Sequence, residues 1–337
     1  MKTTSFKSIV IWFLKVFAAG IISLAVLSVI SYFYSYTGIH ITNPTKSTDY
    51  TWLPGQKMNN MKEGFSSVKI DINGFNNLEI PNQQIDILLM GSSHMEAYQV
   101  NPDENCGFLL NELMTEYFTY NIGISGHTIY RITDNIESAL NKYAPSKYVV
   151  IETNTVQLDI DLMNEVISGE STPIKSHDSG LLFYLQKIPA FKPLYNQLDN
   201  WIKTKSNEED NDIPQETVIT NEYRLILSDF LKITVREANK HGVTPIIFYA
   251  PNEHLSKDGM LTFETDEKYF KVYKETCEEL GIVFIDMSDS FFELYNNNKT
   301  LAHGFSNTAV GVGHLNRYGH SKIAETLTAE IRKMEGR

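Results

Sequence analysis

The stretch Ile87–Tyr98, ILLMGSSHMEAY, is where the reading of this chain turns. Its first residues are continuously apolar, as in a strand buried on both faces. They break abruptly into Gly91, Ser92, Ser93 and His94. Taken alone, a Gly-Ser turn after a strand is ordinary connection chemistry. Whether it is more depends on what the rest of the chain places beside it.

Similar runs recur downstream. IDILLMG, YFTYNIG, KYVVIETN, TPIIFYAP and GIVFIDMS read as five strands. Segments around 105–116, 129–142, 219–241 and 266–280 carry apolar residues at helical spacing, and a last helix is expected from about His320 to Met334. Continuous apolar strands separated by helices predict a parallel sheet covered on both faces. Ligands of such sheets bind outside the carboxyl ends of the strands. That rule selects four loops: Gly91–His94, NIGISGHT with Gly123 and Gly126, ETNT with Asn154, and GVGHLNRYGH with His314 and His320.

These residue types suit nucleophilic acyl transfer. A serine is a weak nucleophile until an imidazole takes its proton, and the tetrahedral intermediate needs donors aimed at its oxyanion. Ser93 offers a hydroxyl and a backbone N–H at a strand-to-helix turn, where a helix dipole favours negative charge. Gly126 offers a second N–H, since a residue without Cβ lets the backbone approach a substrate closely. Asn154 offers its side-chain amide, and His314 is the candidate general base. Singly, each has a bland reading: Asn154 as a turn or cap residue, and His314 and His320 as residues that cap or flank the last helix. His94 reads as a substrate contact or, slightly favoured, a solvated neighbour of the serine. Their joint occurrence, in order and each after its own strand, favours the chemical reading.

The four pieces resemble the SGNH (GDSL-like) hydrolase superfamily, whose blocks supply a nucleophilic Ser, a Gly, an Asn and a His. Its Gly-Asp-Ser falls on Gly91-Ser92-Ser93, its oxyanion glycine on Gly126 within NIGISG, and its Gly-x-Asn-Asp on Glu152–Thr155, keeping only Asn154. Its Asp-x-x-His falls on Gly311–His314. The resemblance implies a flavodoxin-like three-layer α/β/α sandwich with a five-stranded parallel sheet, Ser93 and His314 as catalytic residues, and Ser93, Gly126 and Asn154 as the oxyanion hole. The departure that matters is Gly311, where the family has the carboxylate that orients the imidazole. Its loss from a working triad costs on the order of 10⁴ in rate. Asp286 and Asp289, after the fifth strand, are substitutes by position only.

Outside this domain the clearest signal is N-terminal. Val16–Tyr34 is an uncharged apolar run, extended upstream beyond Lys15 by Ile9–Leu14. That length crosses roughly 30 Å of hydrocarbon. Lys2, Lys7 and Lys15 precede it and no basic residue follows until Lys46, so an uncleaved anchor would keep the N-terminus cytoplasmic and the rest outside. A cleaved signal peptide is the alternative. The expected organisation is an anchor over 1–35, a juxtamembrane stalk packing on the domain over 36–82, and the hydrolase-like domain over 83–337 with an insertion at about 157–217.

Acidic residues outnumber basic ones by 41 to 29, which disfavours nucleic acid as a partner. No G-x-G-x-x-G follows a strand and no H-E-x-x-H occurs, so neither a dinucleotide cofactor nor a metal is expected. Cys106 and Cys277 either pair or stay as two buried thiols. The layout resembles the membrane-anchored SGNH proteins of polysaccharide O-acetylation and teichoic-acid D-alanylation. It implies an O-acyltransferase or esterase acting on a carbohydrate polymer, with the membrane and a membrane-bound O-acyltransferase as partners. The acidic ectodomain weakly disfavours a polyanionic acceptor. Two other readings stand beside it: a catalytically weak or inactive glycan-binding or assembly subunit, motivated by Gly311, and a pure membrane scaffold.

Overall fold

The computed structural model describes residues 6–36, 38–42, 50–78, 84–170, 184–185, 187–191 and 219–337. Its centre is a five-stranded sheet of β5 (Ile87–Met90), β6 (Thr119–Asn121), β7 (Tyr148–Thr153), β8 (Thr244–Tyr249) and β11 (Val283–Asp286). All four pairings are parallel, and the spatial order is β11-β8-β7-β5-β6. Read in chain order along the sheet this is 2-1-3-4-5, the flavodoxin-like winding, whose switch point lies between β5 and β7. The expected strands and sandwich are therefore present.

The strands read as continuous apolar runs because both faces are covered. Leu88, Met90, Val149, Ile151 and Ile247 pack on one side against α4 (Ile129–Tyr143), α6 (Asn221–His241) and α7 (Glu267–Glu279). Ile87, Leu89, Val150, Ile246 and Phe248 pack on the other against α3 (Cys106–Leu113), α8 (Ser288–Asn298) and α9 (Arg317–Met334). Cys277 lies in the first of these cores and Cys106 in the second. Both thiols are free and buried, on opposite faces of the sheet. Phe230 of α6 is fully buried, its ring 5.9 Å from that of Tyr130. Phe230→Ala should cost about 3–5 kcal/mol, measured as the shift in urea unfolding in detergent.

Three antiparallel pairs were not expected from the sequence pattern. They are β3 (Lys57–Asn60) with β4 (Ser66–Lys69), β9 (Glu253–Leu255) with β10 (Leu261–Phe263), and β12 (His303–Gly304) with β13 (Val310–Leu315). A fourth pair, β1 (His40–Thr42) with β2 (Tyr50–Trp52), precedes them. Trp52, Met58, Val68, Ile70 and Tyr98 form a separate small core beneath the N-terminal pairs. The proposed insertion at 157–217 falls mostly outside the described residues. Within it α5 (Ile160–Ser168) packs on α4 and α6, capped by Asp159.

Helix α1 (Phe6–Ser35) precedes all of this. Lys7–Tyr34 contains an 18-residue window with a mean hydropathy of 2.4 and none of it buried, so the helix is long and apolar enough to cross a membrane; a signal sequence has the same character.

Candidate active site

The turn after β5 is held from the neighbouring strand across the switch point. Glu152, fully buried on β7, accepts the Ser92 N–H through Oε2 at 2.8 Å, and its Oε1 lies 3.5 Å from His94 Nδ1. Burial alone would raise this carboxyl; hydrogen bonds and charge from His94, and the Ser92 N–H, outweigh it and hold it below the ordinary range. Ser92 Oγ caps the next helix by accepting the His94 N–H at 3.3 Å. That helix, α2 (Ser93–Glu96), is a single turn ended by Ala97 at φ 56°. A macrodipole sums over aligned peptides, so the expected dipole support for Ser93 is small here. His94 is 6% exposed rather than solvated, which corrects the expectation of a solvent-facing neighbour. The Glu152 carboxylate and the core ahead of it draw the imidazole inward. Glu152→Ala leaves the Ser92 N–H and the His94 ring unpaired; we expect a loss of about 1–3 kcal/mol in thermal unfolding.

A cavity of about 730 Å³ opens at the carboxyl ends of the strands, lined among others by His94, Asn154, Asn252, Glu253, His303 and His314. Two of the expected site residues, Asn154 and His314, thus share one cleft. Ser93 heads α2, which packs against β13, the strand carrying His314. The His94 and His314 ring centroids are 5.8 Å apart. Among the described residues no hydrogen bond joins the Ser93 hydroxyl to His314, whose bonds run instead to Glu63. Catalytic hydrogen bonds are commonly loose before substrate binds. Ser93 and Gly126 lie outside the cavity lining. The Gly126 φ of 85° suits glycine, and a Cβ there would meet the Tyr50 hydroxyl at 2.7 Å. Its loop reaches the serine turn through Ile124, whose N–H donates to Gly91 O at 3.1 Å.

The carboxylate that orients His314 comes from neither expected place. Asp286 is occupied by the Ser288 N–H and hydroxyl, at 2.9 and 2.7 Å, and Asp289 opens α8. Glu63, in the turn between β3 and β4, takes the role's geometry. Its Oε2 lies 2.8 Å from His314 Nδ1 and its Oε1 accepts the His314 N–H at 2.8 Å. A carboxylate only accepts, so Nδ1 carries a proton, and in the neutral imidazole Nε2 presents its lone pair. Burial would raise Glu63, but the side-chain and backbone hydrogen bonds of His314 hold it below the ordinary carboxylate range. Sequence reasoning missed Glu63 because it stands 251 positions from its partner, in a polar segment with no motif.

Beside this pair sits a second of the same construction. Glu253 accepts the His303 N–H at 2.9 Å and faces its Nδ1 at 3.1 Å, both residues buried. Burial keeps the His303 imidazole below its ordinary pKa, partly offset by Glu253. His320 does not cap the last helix; Asn316 does, accepting the Tyr318 and Gly319 N–H groups. Buried among His94, His303 and His314, His320 is pushed down to about 3 by burial first and its neighbours second, and is neutral. Among the described residues no group of three or more His, Cys, Asp or Glu is arranged to hold a metal ion.

No family model and no curated protein matches the chain. Similar solved structures include the acetyl xylan esterase AlAXEase, with 15% identity, 73% of this chain and 100% of that one covered, and a TM-score of 0.42. They also include the psychrotrophic esterase EstA from Pseudoalteromonas sp., with 14% identity, 75% and 99% covered, and a TM-score of 0.38. A two-domain esterase (CEX) active on acetylated mannans shows 12% identity over 75% of this chain and 50% of its own, with a TM-score of 0.42. Likeness at these values transfers neither activity nor substrate to this chain. What its own fold and site define is a flavodoxin-wound α/β protein with a histidine-lined cleft at the switch point.

Proposed function

We propose that this protein is an SGNH-type serine enzyme acting on acyl esters, an esterase or O-acyltransferase. Its substrate would be an acyl, in the first instance acetyl, ester of cell-envelope or secreted polysaccharide. In this reading α1 anchors the chain in the cell membrane with the domain extracytoplasmic, beside a membrane-bound O-acyltransferase. The observation that carries the reading is His314: an imidazole in the cleft wall, held at Nδ1 by a carboxylate, with Nε2 left as a base.

The chemistry follows from that arrangement. Ser93 Oγ attacks the ester carbonyl while His314 Nε2 takes its proton, and the C–O bond of the leaving alcohol breaks as the imidazolium returns the proton to it. Water or a sugar hydroxyl, deprotonated by the same nitrogen, then attacks the acyl-serine and restores the hydroxyl. The Ser93 N–H, the Asn154 amide and the Gly126 N–H serve the oxyanion. The test is acetyl release from p-nitrophenyl acetate, alone and with neutral oligosaccharides as acceptors, with products weighed by mass spectrometry. Acetyl release is expected, with acetylated sugar appearing if transfer competes with hydrolysis.

A second reading, a non-catalytic subunit that binds glycan or assembles with the membrane acyltransferase, is motivated by Gly311 standing where the resembled family has its aspartate. Absence of both hydrolysis and transfer, in a protein that still binds the oligosaccharide, would establish it.

A further inference from the structure

We infer that Glu63 is the positioning residue of His314 and that the end of the membrane helix holds it there, so that the N-terminal segment completes the active site. The inference rests on the serine-enzyme reading of that site.

The backbone of β13 explains why the acid is not local. Gly311 sits at φ 81°, where side chains are strained, and a Cβ there would meet Leu301 Cδ1 at 2.7 Å. An aspartate three residues before His314 is therefore disfavoured. Gly313, at φ 94°, leaves the space Glu63 fills: a Cβ there would come within 2.3 Å of Glu63 Oε1. The two glycines close one route to a carboxylate and open another.

The turn bearing Glu63 is fastened at both ends. On the domain side Asn307 accepts the Gly64 N–H at 2.9 Å and donates to Met61 O and Gly64 O, both at 3.0 Å. On the membrane side the hairpin uses the carbonyls that a helix end leaves without intrahelical partners. Met61 N–H donates to Tyr34 O at 2.8 Å, and Asn59 Nδ2 donates to Tyr32 O at 3.2 Å. The Tyr98 hydroxyl, also bonded to Asn59 O, reaches Tyr36 O at 3.0 Å. The last turn of α1, the hairpin and the imidazole thus form one bonded series, in which Glu63 is two residues from the helix contact at Met61.

The test uses the full chain in detergent micelles with p-nitrophenyl acetate. Glu63→Gln should lower kcat by about 10²–10⁴-fold with KM little changed, and Glu63→Asp should recover part of the loss. The ¹⁵N shifts of the His314 ring should report a single Nδ1–H tautomer in the parent and a mixture in Glu63→Gln, whether or not the protein turns over. Asn59→Ala and Tyr98→Phe, which loosen the clamp without touching Ser93, His314 or Glu63, should lower kcat several-fold. Combined with Glu63→Gln they should add nothing, because all act through one bond. The inference is overturned if Glu63→Gln leaves both kcat and tautomer as in the parent, or if the clamp losses persist undiminished in its presence. A parent protein without esterase activity would instead refute the enzyme reading, and the tautomer and its response to the clamp variants would still decide whether α1 and Glu63 position His314.

Discussion

Replacing Ser93 with alanine should lower ester turnover by a factor on the order of 10⁴ or more while leaving the fold intact. The expectation is specific to the second serine of the pair. Ser92 is committed to structure: its N–H is on Glu152 and its hydroxyl caps α2 through the His94 N–H. Ser93 is half-buried at the head of α2, the helix that packs against the His314 strand. Ser92→Ala loses one cap bond, worth about 1 kcal/mol of stability, and should keep most of the turnover. Steady-state rates for the two variants separate the roles. Equal losses in both would remove Ser93 from its assigned position.

The second large effect concerns pH and stability. Glu96, 1% exposed, accepts hydrogen bonds from the Trp52 indole and the Ser125 hydroxyl. Burial raises its carboxyl to about 7, against the lowering influence of those two donors. Between the ordinary carboxylate value and pH 7 the folded protein keeps a proton that the unfolded chain has released. The contribution is fully present below about pH 4.5 and is lost as pH rises through 7, a change of about 3 kcal/mol. Glu152 and Glu63, held below the ordinary range, act in the opposite sense and at lower pH, losing their contributions as pH falls. Glu96→Gln keeps an acceptor for one donor without the ionisation. It should be more stable than the parent at pH 8 and close to it at pH 5, as read from thermal unfolding. Parallel stability curves from pH 5 to 8 would show that Glu96 carries no such linkage.

The sandwich was legible because ILLM in β5, Val149, Val150 and Ile151 in β7, and Ile246, Ile247 and Phe248 in β8 are continuously apolar runs, as in strands covered on both faces. Helices α3, α4, α6, α7 and α9 were legible from their spacing, whereas α2, α5 and α8 were not; α9 begins three residues earlier than its pattern suggested because Asn316 caps it. The short hairpins were not. In β13 valine alternates with glycine, but Val310 and Val312 face solvent, so the alternation marks no buried face, and β12 is only two residues long. At the site, the loops after β5 and β7 and the histidine loop were marked by residue type and order. Their partners were not: Glu152 read as a departure from a family block, yet it is the anchor of the serine turn. Glu63 has no local signature at all. The space it occupies exists because Gly313 lacks a Cβ and has a positive φ; the glycine is visible in the sequence, but its φ and its closeness to Glu63 are not.

The most direct test of the central claim is to treat the full-length protein with a fluorophosphonate and locate the adduct by peptide mass spectrometry. A single phosphonylated residue, Ser93, is expected, with loss of labelling when His314 is replaced by alanine. Labelling at Ser92 or elsewhere, or none on a folded protein, would contradict it.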